Sequence, residues 1–339
     1  MEEKKSRGTG AVTVFFVILS IALMAGCGFI GYKYLELSKE LGQHDKENEA
    51  AVAALQQEVE ESDGTKLKKK IQESLENGET PLKMLRDIYS DHVVYSYGGK
   101  FYFAPINKNV PLNDFNADDF QRNDKGELEY IKDGKTASYK GIDVSKYQGS
   151  IDWKAVAEDG VDYAIIRIGY RGYGTGEIVL DEAFENNVKG ALDAGIDVGV
   201  YFFSQAIDEK EAAEEAKFVL DNIKAYKING PVVFDTEEVA SGEGRMKDIS
   251  SDKLTDITIK FMETVKKKGY TPMIYANLQW FVSNLDISRL GDYEKWFASY
   301  TTPFYFPYEI SMWQYSDAGS VNGIQGNVDM NISFKKWKG

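Results

Sequence analysis

From residue 141 onward, short apolar runs alternate with stretches in which apolar residues recur every three or four positions. The first pattern predicts buried strands and the second predicts helices. The predicted strands are 141–145, 163–169, 197–205, 231–239, 271–277, 295–300, 310–316 and 327–333. The predicted helices are 181–194, 208–225 and 251–268. Because helices separate only the early strands, we expect an α/β fold whose strands form a mainly parallel, closed, TIM-like barrel rather than an open doubly wound sheet.

The segment 11–32 is uncharged and long enough to cross a bilayer as a helix. Basic residues at positions 4, 5 and 7 precede it, which favours a cytoplasmic N-terminus over residues 1–10. We therefore expect a single-pass transmembrane anchor with the rest of the chain outside the cell. Two alternatives stay open: a cleaved signal peptide, and a lipoprotein whose Cys27 becomes the lipidated N-terminus.

Two further segments separate the anchor from the barrel at 139–339. Residues 33–78 are rich in Glu, Lys, Gln, Ala and Leu and predict a solvated helical stalk, with only weak support for a coiled coil. Residues 79–138 predict a small α+β module with a short helix and two hairpins that turn at Gly98-Gly99 and Asp133-Gly134. This module is interpreted as a spacer, a wall-binding element or a site for a protein partner.

The strongest chemical signal is the pair Asp235 and Glu237, at the end of the fourth predicted strand. Residues two apart on a strand share a face, so the two carboxyl groups should project together. Adjacent carboxyls push their pKa values apart, which leaves one protonated near neutral pH. The two histidines, His44 and His92, and the single cysteine all precede this region, which argues against Ser-His triads, Cys-His nucleophiles and zinc sites.

Two more acids and a set of aromatic side chains fall near the same strand ends. Asp143 lies in the first strand and Asp329 in the last, so four carboxylates should meet at one mouth of the barrel. The residues expected to contact a ligand are Tyr147, Tyr201, Tyr275, Trp296, Tyr300, Trp313 and Gln314. For any single ring, core packing is the simpler interpretation. Carboxylates with an aromatic lining are nevertheless typical of glycoside hydrolases.

Composition narrows the ligand class. The net charge is −14, and no basic stripe lies within the barrel region, so we expect no nucleic-acid partner. Hard cations would suit the acids, but no calcium-binding loop or phosphate-binding glycine loop accompanies them. We therefore expect no metal and no cofactor. The glycine-rich segment 169–174 is interpreted as an active-site loop.

Six segments resemble the glycoside hydrolase family 25 lysozymes, in order and over about residues 139–337. They are 141–149, 199–201, 234–237, 296–300, 312–316 and 328–331. The resemblance implies an irregular barrel of five βα units followed by three strands. It also implies cleavage of the β-1,4 bond between N-acetylmuramic acid and N-acetylglucosamine in peptidoglycan. Phe202 stands where several members of that family carry His.

Site roles follow from the same resemblance. It implies that Glu237 is the general acid, that Asp235 assists the acetamido group of the substrate, and that Asp143 and Asp329 complete an acidic floor. The expected function is cell-wall remodelling by a muramidase anchored in the bacterial membrane. Two alternatives stay open: a catalytically silent glycan-binding scaffold, and a chitinase-type glycosidase. The chitinase-type alternative lacks support, because apolar residues occupy 232–234, where that family has an acidic run before the position of Asp235.

Overall fold

The computed structural model describes residues 64–239 and 244–337 of the 339-residue chain. Contacts group the chain into two units, Met1–Thr80 and Pro81–Gly339. In the first unit, helix α1 spans Gly64–Glu76 and ends just before Gly78, which has a positive φ angle. The predicted anchor at 11–32 and the stalk up to residue 63 lie outside the described residues. Within the described ranges, no helix combines the length and hydrophobicity needed to cross a bilayer.

The second unit begins with a mixed segment that matches the predicted α+β module. Its elements are α2 (Pro81–Ile88), β1 (His92–Tyr97), β2 (Lys100–Pro105), β3 (Phe120–Arg122), β4 (Leu128–Lys132) and β5 (Lys135–Thr136). Strands β1 and β2 form the predicted hairpin, and Gly98 and Gly99 supply the positive φ angles of its turn. The second hairpin also forms, although β5 is only two residues long.

All eight predicted barrel strands are present. They are β6 (Tyr139–Val144), β7 (Tyr163–Arg171), β9 (Asp197–Phe203), β10 (Val232–Asp235), β11 (Pro272–Asn277), β12 (Glu294–Ala298), β13 (Met312–Gly319) and β14 (Val328–Ser333). Between β7 and β9, the short strand β8 (Ile178–Leu180) folds back on β7 as a hairpin. That hairpin contains the glycine-rich loop. Each strand pairs with its neighbours, and β6 pairs with both β7 and β14, so the sheet closes on itself.

The last strand corrects the expectation of parallel strands. Strand β14 runs antiparallel to both β13 and β6. In this direction the start of β14, rather than its end, reaches the rim where β6 ends. Asp329 is the second residue of β14 and pairs in register with Asp143 of β6. Its place at the mouth therefore depends on the reversed strand.

Helices follow the first four barrel positions, and the hydrophobic pattern predicted the last three of these four helices but not the first. They are α3 (Trp153–Glu158), α4 (Phe184–Asp193), α5 (Glu209–Ile223) and α6 (Ser251–Lys266). Asp208 and Glu211 have the spacing of a capping box in the sequence, and Asp208 caps α5 by accepting a hydrogen bond from the Glu211 N–H. After β11 the chain forms a π-helix, Trp280–Asn284. Five βα units followed by three strands are thus observed, and the fifth connection is the π-helix.

The barrel has an interior core and an outer core. Alternate residues such as Ile165, Val233 and Met312 fill the interior, while the helices pack against the residues between them. At the end opposite the mouth, the Trp337 ring packs edge-on against Tyr163, with ring centroids 4.5 Å apart. Gly141 has to be glycine, because a Cβ there would lie 2.0 Å from the Tyr163 ring.

Six rings form an aromatic seam between residues 81–138 and the barrel. The rings are Phe115, Phe120 and Tyr130 from the preceding segment, and Phe304, Trp313 and Phe334 from the barrel. Ring centroids of Phe120 and Trp313 are 5.1 Å apart. An antiparallel bridge between Leu112 and Tyr308 runs beside the seam. The preceding segment therefore covers apolar barrel surface.

Candidate active site

Asp235 and Glu237 occupy the carboxyl end of β10. Asp235 is the last residue of the strand and is 4% exposed, with its side chain on the interior face that also carries Val233. The backbone stays paired beyond the strand end, because the Thr236 N–H donates to the Tyr275 carbonyl oxygen at 3.2 Å. This extended path brings Glu237 to the same side as Asp235, although the strand is shorter than predicted.

Asp143 and Asp329 lie side by side on β6 and β14. Burial raises the pKa of Asp143 to about 6. It raises the pKa of Asp329 to about 8, and the negative charge of Asp143 adds to this effect. At neutral pH the pair therefore shares one proton, which Asp329 holds and donates to the Asp143 carboxylate.

Two amide side chains orient the Asp143 carboxylate. Its Oδ2 accepts hydrogen bonds from Gln314 Nε2 and Asn331 Nδ2, each at 2.8 Å. The indole N–H of Trp296 donates to Asn331 Oδ1 at 2.8 Å, so the Asn331 amino group must face Asp143. These bonds favour the ionised form of Asp143 and oppose the effect of burial.

Two tyrosines hold Gln314 in the same way. The hydroxyl groups of Tyr275 and Tyr300 donate to Gln314 Oε1 at 2.8 and 2.9 Å. Because both donors occupy the carbonyl oxygen, the amino group of Gln314 turns to Asp143. The network thus links β11, β13 and the segment after β12 to the carboxylate on β6, and it fixes the orientation of the side chains at the mouth.

The carboxyls on β10 also have raised pKa values. Burial, together with the charge of Asp329, raises the pKa of Glu237 to about 7. Burial, then Glu237 and Asp143, raise the pKa of Asp235 well above its ordinary value, while Arg167 opposes the shift. Burial is the larger cause of the raised pKa of Glu237, and the like charge that acts on it comes from Asp329 and not from the predicted neighbour Asp235.

Arg167 is a functional residue that the sequence reasoning missed. It lies on the interior face of β7, two residues beyond Ile165, and its Nε donates to Asp181 Oδ2 at 2.6 Å. Its guanidinium carbon lies 5.0 Å from the centre of the Tyr147 ring, and its Nη2 is buried without a hydrogen-bond partner among the described residues. The period-two alternation along β7 is the signal that could have placed this cation inside the acidic mouth.

Five of the predicted aromatic side chains lie at the mouth or below it. Tyr201, Tyr275 and Trp296 face the interior and pack against one another, with the Trp296 ring centroid 4.6 Å from that of Tyr275. Tyr147 and Tyr300 stand on the rim, 77% and 51% exposed. These two rings are open to a ligand, whereas Trp296 supports the site from beneath.

Trp313 is not brought to the mouth. It alternates outward between Met312 and Gln314, is fully buried in the aromatic seam, and donates its indole N–H to the Ser299 carbonyl oxygen at 2.8 Å. Phe202 also faces outward, packing against Phe218 of α5. The presence of Phe202, where several family members carry His, therefore affects packing of the outer core and not contact with a ligand.

The arrangement suits acid catalysis on a carbohydrate. A carboxyl group with a pKa of about 7 is still about half protonated at neutral pH, so it can deliver a proton to a leaving oxygen. Neighbouring carboxyls and rim tyrosines provide hydrogen-bonding and stacking groups for a sugar. The described residues contain no cluster of His, Cys, Asp and Glu arranged to hold a metal ion.

Comparison with known proteins identifies relatives of the barrel. The family model "Glycosyl hydrolases family 25" matches residues 142–324. An autolytic lysozyme of Clostridium acetobutylicum is 30% identical over 194 residues, which cover 57% of this chain and 55% of the relative. The protein YegX of Escherichia coli K12, which is uncharacterized, is 30% identical over 201 residues, which cover 58% and 70%. The chain thus spans about half the length of the clostridial relative.

A solved structure shares the fold. The modular autolysin LytC from Streptococcus pneumoniae, in complex with a synthetic peptidoglycan ligand, superimposes with a TM-score of 0.52 at 25% identity. The match covers 71% of this chain and 66% of that one.

Proposed function

The chain belongs to the family 25 glycosyl hydrolases, and on this premise we propose that it cleaves peptidoglycan between N-acetylmuramic acid and N-acetylglucosamine. The observation that carries the proposal is the environment of Glu237. It lies at the barrel mouth, its pKa is raised to about 7, and three more carboxyl groups surround it. The relatives named lysozyme and autolysin support this substrate class.

In this proposal Glu237 acts as the general acid. It donates its proton to the glycosidic oxygen as the bond to the anomeric carbon breaks, and water bonds to that carbon, either directly or after the substrate's acetamido oxygen has done so. Asp235 orients this acetamido group, for which its buried Oδ1 is suited because it has no partner among the described protein groups. Asp143 and Asp329 form the floor, where their shared proton limits the negative charge below the sugar.

We also propose that residues 11–32 hold the enzyme in the bacterial cell membrane with the barrel outside. This location would bring the mouth to the glycan strands of the wall. The support is the uncharged length of this segment and the basic residues before it.

The test is digestion of purified peptidoglycan by the full-length protein, with products identified by mass spectrometry. We expect new N-acetylmuramic acid reducing ends, and a loss of about a thousandfold in rate for Glu237→Gln, since general acid catalysis contributes roughly 10²–10⁴-fold. Glu158→Gln is the matched control, because Glu158 lies exposed at the end of α3. Thermal unfolding of both variants should match that of the wild type.

Other outcomes would favour the alternatives. Wall binding without any new reducing ends would support a silent glycan-binding scaffold. Cleavage of chitin oligomers in preference to peptidoglycan would support a chitinase-type glycosidase. Wild-type hydrolysis by Glu237→Gln would remove Glu237 from the role of acid.

A further inference from the structure

A second recess lies directly beside Glu237. It has a volume of about 200 Å³, and it is referred to below as the hairpin pocket. Its walls include Tyr97, Glu237, Glu238, Gln279, Trp280 and Asn284. One wall thus comes from the β1–β2 hairpin, which lies outside the family match at 142–324. The opposite wall comes from the π-helix and the residue before it.

Specific hydrogen bonds hold the hairpin in this position. The Tyr97 hydroxyl donates to both carboxylate oxygens of Glu238, at 3.0 and 2.8 Å. The Tyr95 hydroxyl is hydrogen-bonded to Ser283 Oγ of the π-helix at 2.7 Å. The Val94 N–H donates to the Tyr305 hydroxyl at 2.8 Å. The hairpin is therefore fastened to the barrel next to the proposed acid.

The π-helix shapes the opposite wall. Its wide turn is closed by the Leu285 N–H, which donates to the Trp280 carbonyl oxygen five residues earlier at 2.9 Å. This turn directs Trp280 and Asn284 to the same recess. Single π-turns occur frequently at functional sites, because they redirect side chains that a regular α-helix would place elsewhere.

The exposed groups of the pocket match the chemistry of a sugar. The ring of Tyr97 is 43% exposed and offers a face for stacking. The side-chain amides of Gln279 and Asn284 are half-buried and bond to no residue of 64–239 or 244–337, so each can donate to and accept from hydroxyl or acetamido groups. Glu237 and Glu238 disfavour an anionic occupant.

We propose that the hairpin pocket is a saccharide-binding subsite that extends the catalytic mouth along the glycan strand. The inference rests on the proposed function for the identity of the ligand. Continuity supports it, because Glu237 lines the pocket as well as the mouth. Residues 92–105 then contribute to substrate binding, and strands long enough to reach Tyr97 bind more tightly than short ones.

The test measures binding without turnover. Full-length Glu237→Gln protein is titrated by calorimetry with peptidoglycan glycan oligomers of increasing length. Adding Tyr97→Ala should weaken the Kd of the longest oligomers by about tenfold, which corresponds to one stacking contact, and should affect the shortest oligomers less. Asn284→Ala, on the opposite wall, should weaken the same long oligomers severalfold.

The matched control is Tyr102→Ala. Tyr102 is on the same hairpin and 39% exposed, but it does not line the pocket. An equal loss of affinity for Tyr102→Ala would show that hairpin stability is responsible and would overturn the proposal. So would Tyr97→Ala if it weakened short and long oligomers to the same degree. Failure of the wild type to cleave any glycan refutes the proposed function separately, since binding is measured in a variant without the acid.

Discussion

At the scale of single residues, the carboxyl groups of the mouth differ in their pKa values. Their identities could be predicted from the sequence, because Asp143, Asp235 and Glu237 lie at the ends of recognisable strands. Their protonation could not, because it depends on burial and on partners that are distant in the chain. Hydrogen bonds from Asn331 and Gln314 favour the ionised form of Asp143. These three residues are far apart in the sequence, and no sequence pattern relates their positions.

The pH dependence of activity follows from Glu237. Its pKa is raised to about 7, so the acid is protonated below that value and loses its proton above it. We expect kcat/KM to fall above about pH 7, roughly two units higher than an exposed glutamate would cause. Initial rates of reducing-end release measured from pH 4 to 9 would check this. Activity already lost by pH 5, or constant to pH 9, would contradict it.

At the scale of elements, periodicity located the barrel strands but not every direction or connection. The reversed direction of β14 follows from its short link to β13, which apolar spacing does not record. The π-helix after β11 has the apolar residues of an ordinary α-helix, so its wider turn could not be predicted from the sequence. The helix α5 was predicted from its stripe and cap, whereas the charged residue it buries was not.

That residue is Glu215, which joins α5 to β7. Its Oε1 accepts from Arg171 Nε at 2.7 Å, its Oε2 accepts from Ser204 Oγ at 2.7 Å, and neither ionic side chain is more than 4% exposed. The Arg171 guanidinium also donates to the Gly176 carbonyl oxygen at 2.7 Å. Burial raises the pKa of Glu215 to about 7, against the effect of its hydrogen bonds.

Removing this carboxylate should destabilise the barrel strongly. Glu215→Leu leaves the Arg171 charge buried without its main partner, so we expect the free energy of unfolding to fall by about 3 kcal/mol or more. Asp221→Asn is the matched control on the same helix, because solvent screens its exposed pair with Lys217 and its loss should change the free energy of unfolding little. Denaturant unfolding of the full-length protein measures both. Similar losses for the two variants would contradict the assignment of a structural ion pair.

At the scale of the whole molecule, the family match at 142–324 falls within the region 139–339 for which the sequence predicts the barrel. The contribution of residues 81–138 was not predictable. Their contacts to the barrel join positions about 200 residues apart, such as Asn107 N to the Tyr308 hydroxyl at 3.0 Å. Sequence patterns describe local elements, and they contain little about which surfaces those elements will cover.

Attachment to the membrane is a prediction at this scale. We expect the full-length protein to stay in the membrane fraction after alkaline carbonate washing, and a variant lacking residues 11–32 to be released. Cys27→Ser separates the two forms of anchoring, since it would release a lipoprotein but not a chain held by a transmembrane helix. A wild-type protein that washes off with carbonate would contradict the anchor.

The aromatic seam limits how this chain can be divided or inherited. Three of its rings precede residue 139 and three follow it, and the Phe120 ring packs edge-on against the buried Trp313, with ring centroids 5.1 Å apart. A truncated protein that begins at the family match would expose Phe304, Trp313 and Phe334 as one contiguous apolar patch, and such a patch favours self-association. A chimaera that carries the barrel of another family member should therefore fold only if residues 81–138 are exchanged together with the barrel. Otherwise, the new partner has to supply aromatic rings of matching shape at the seam.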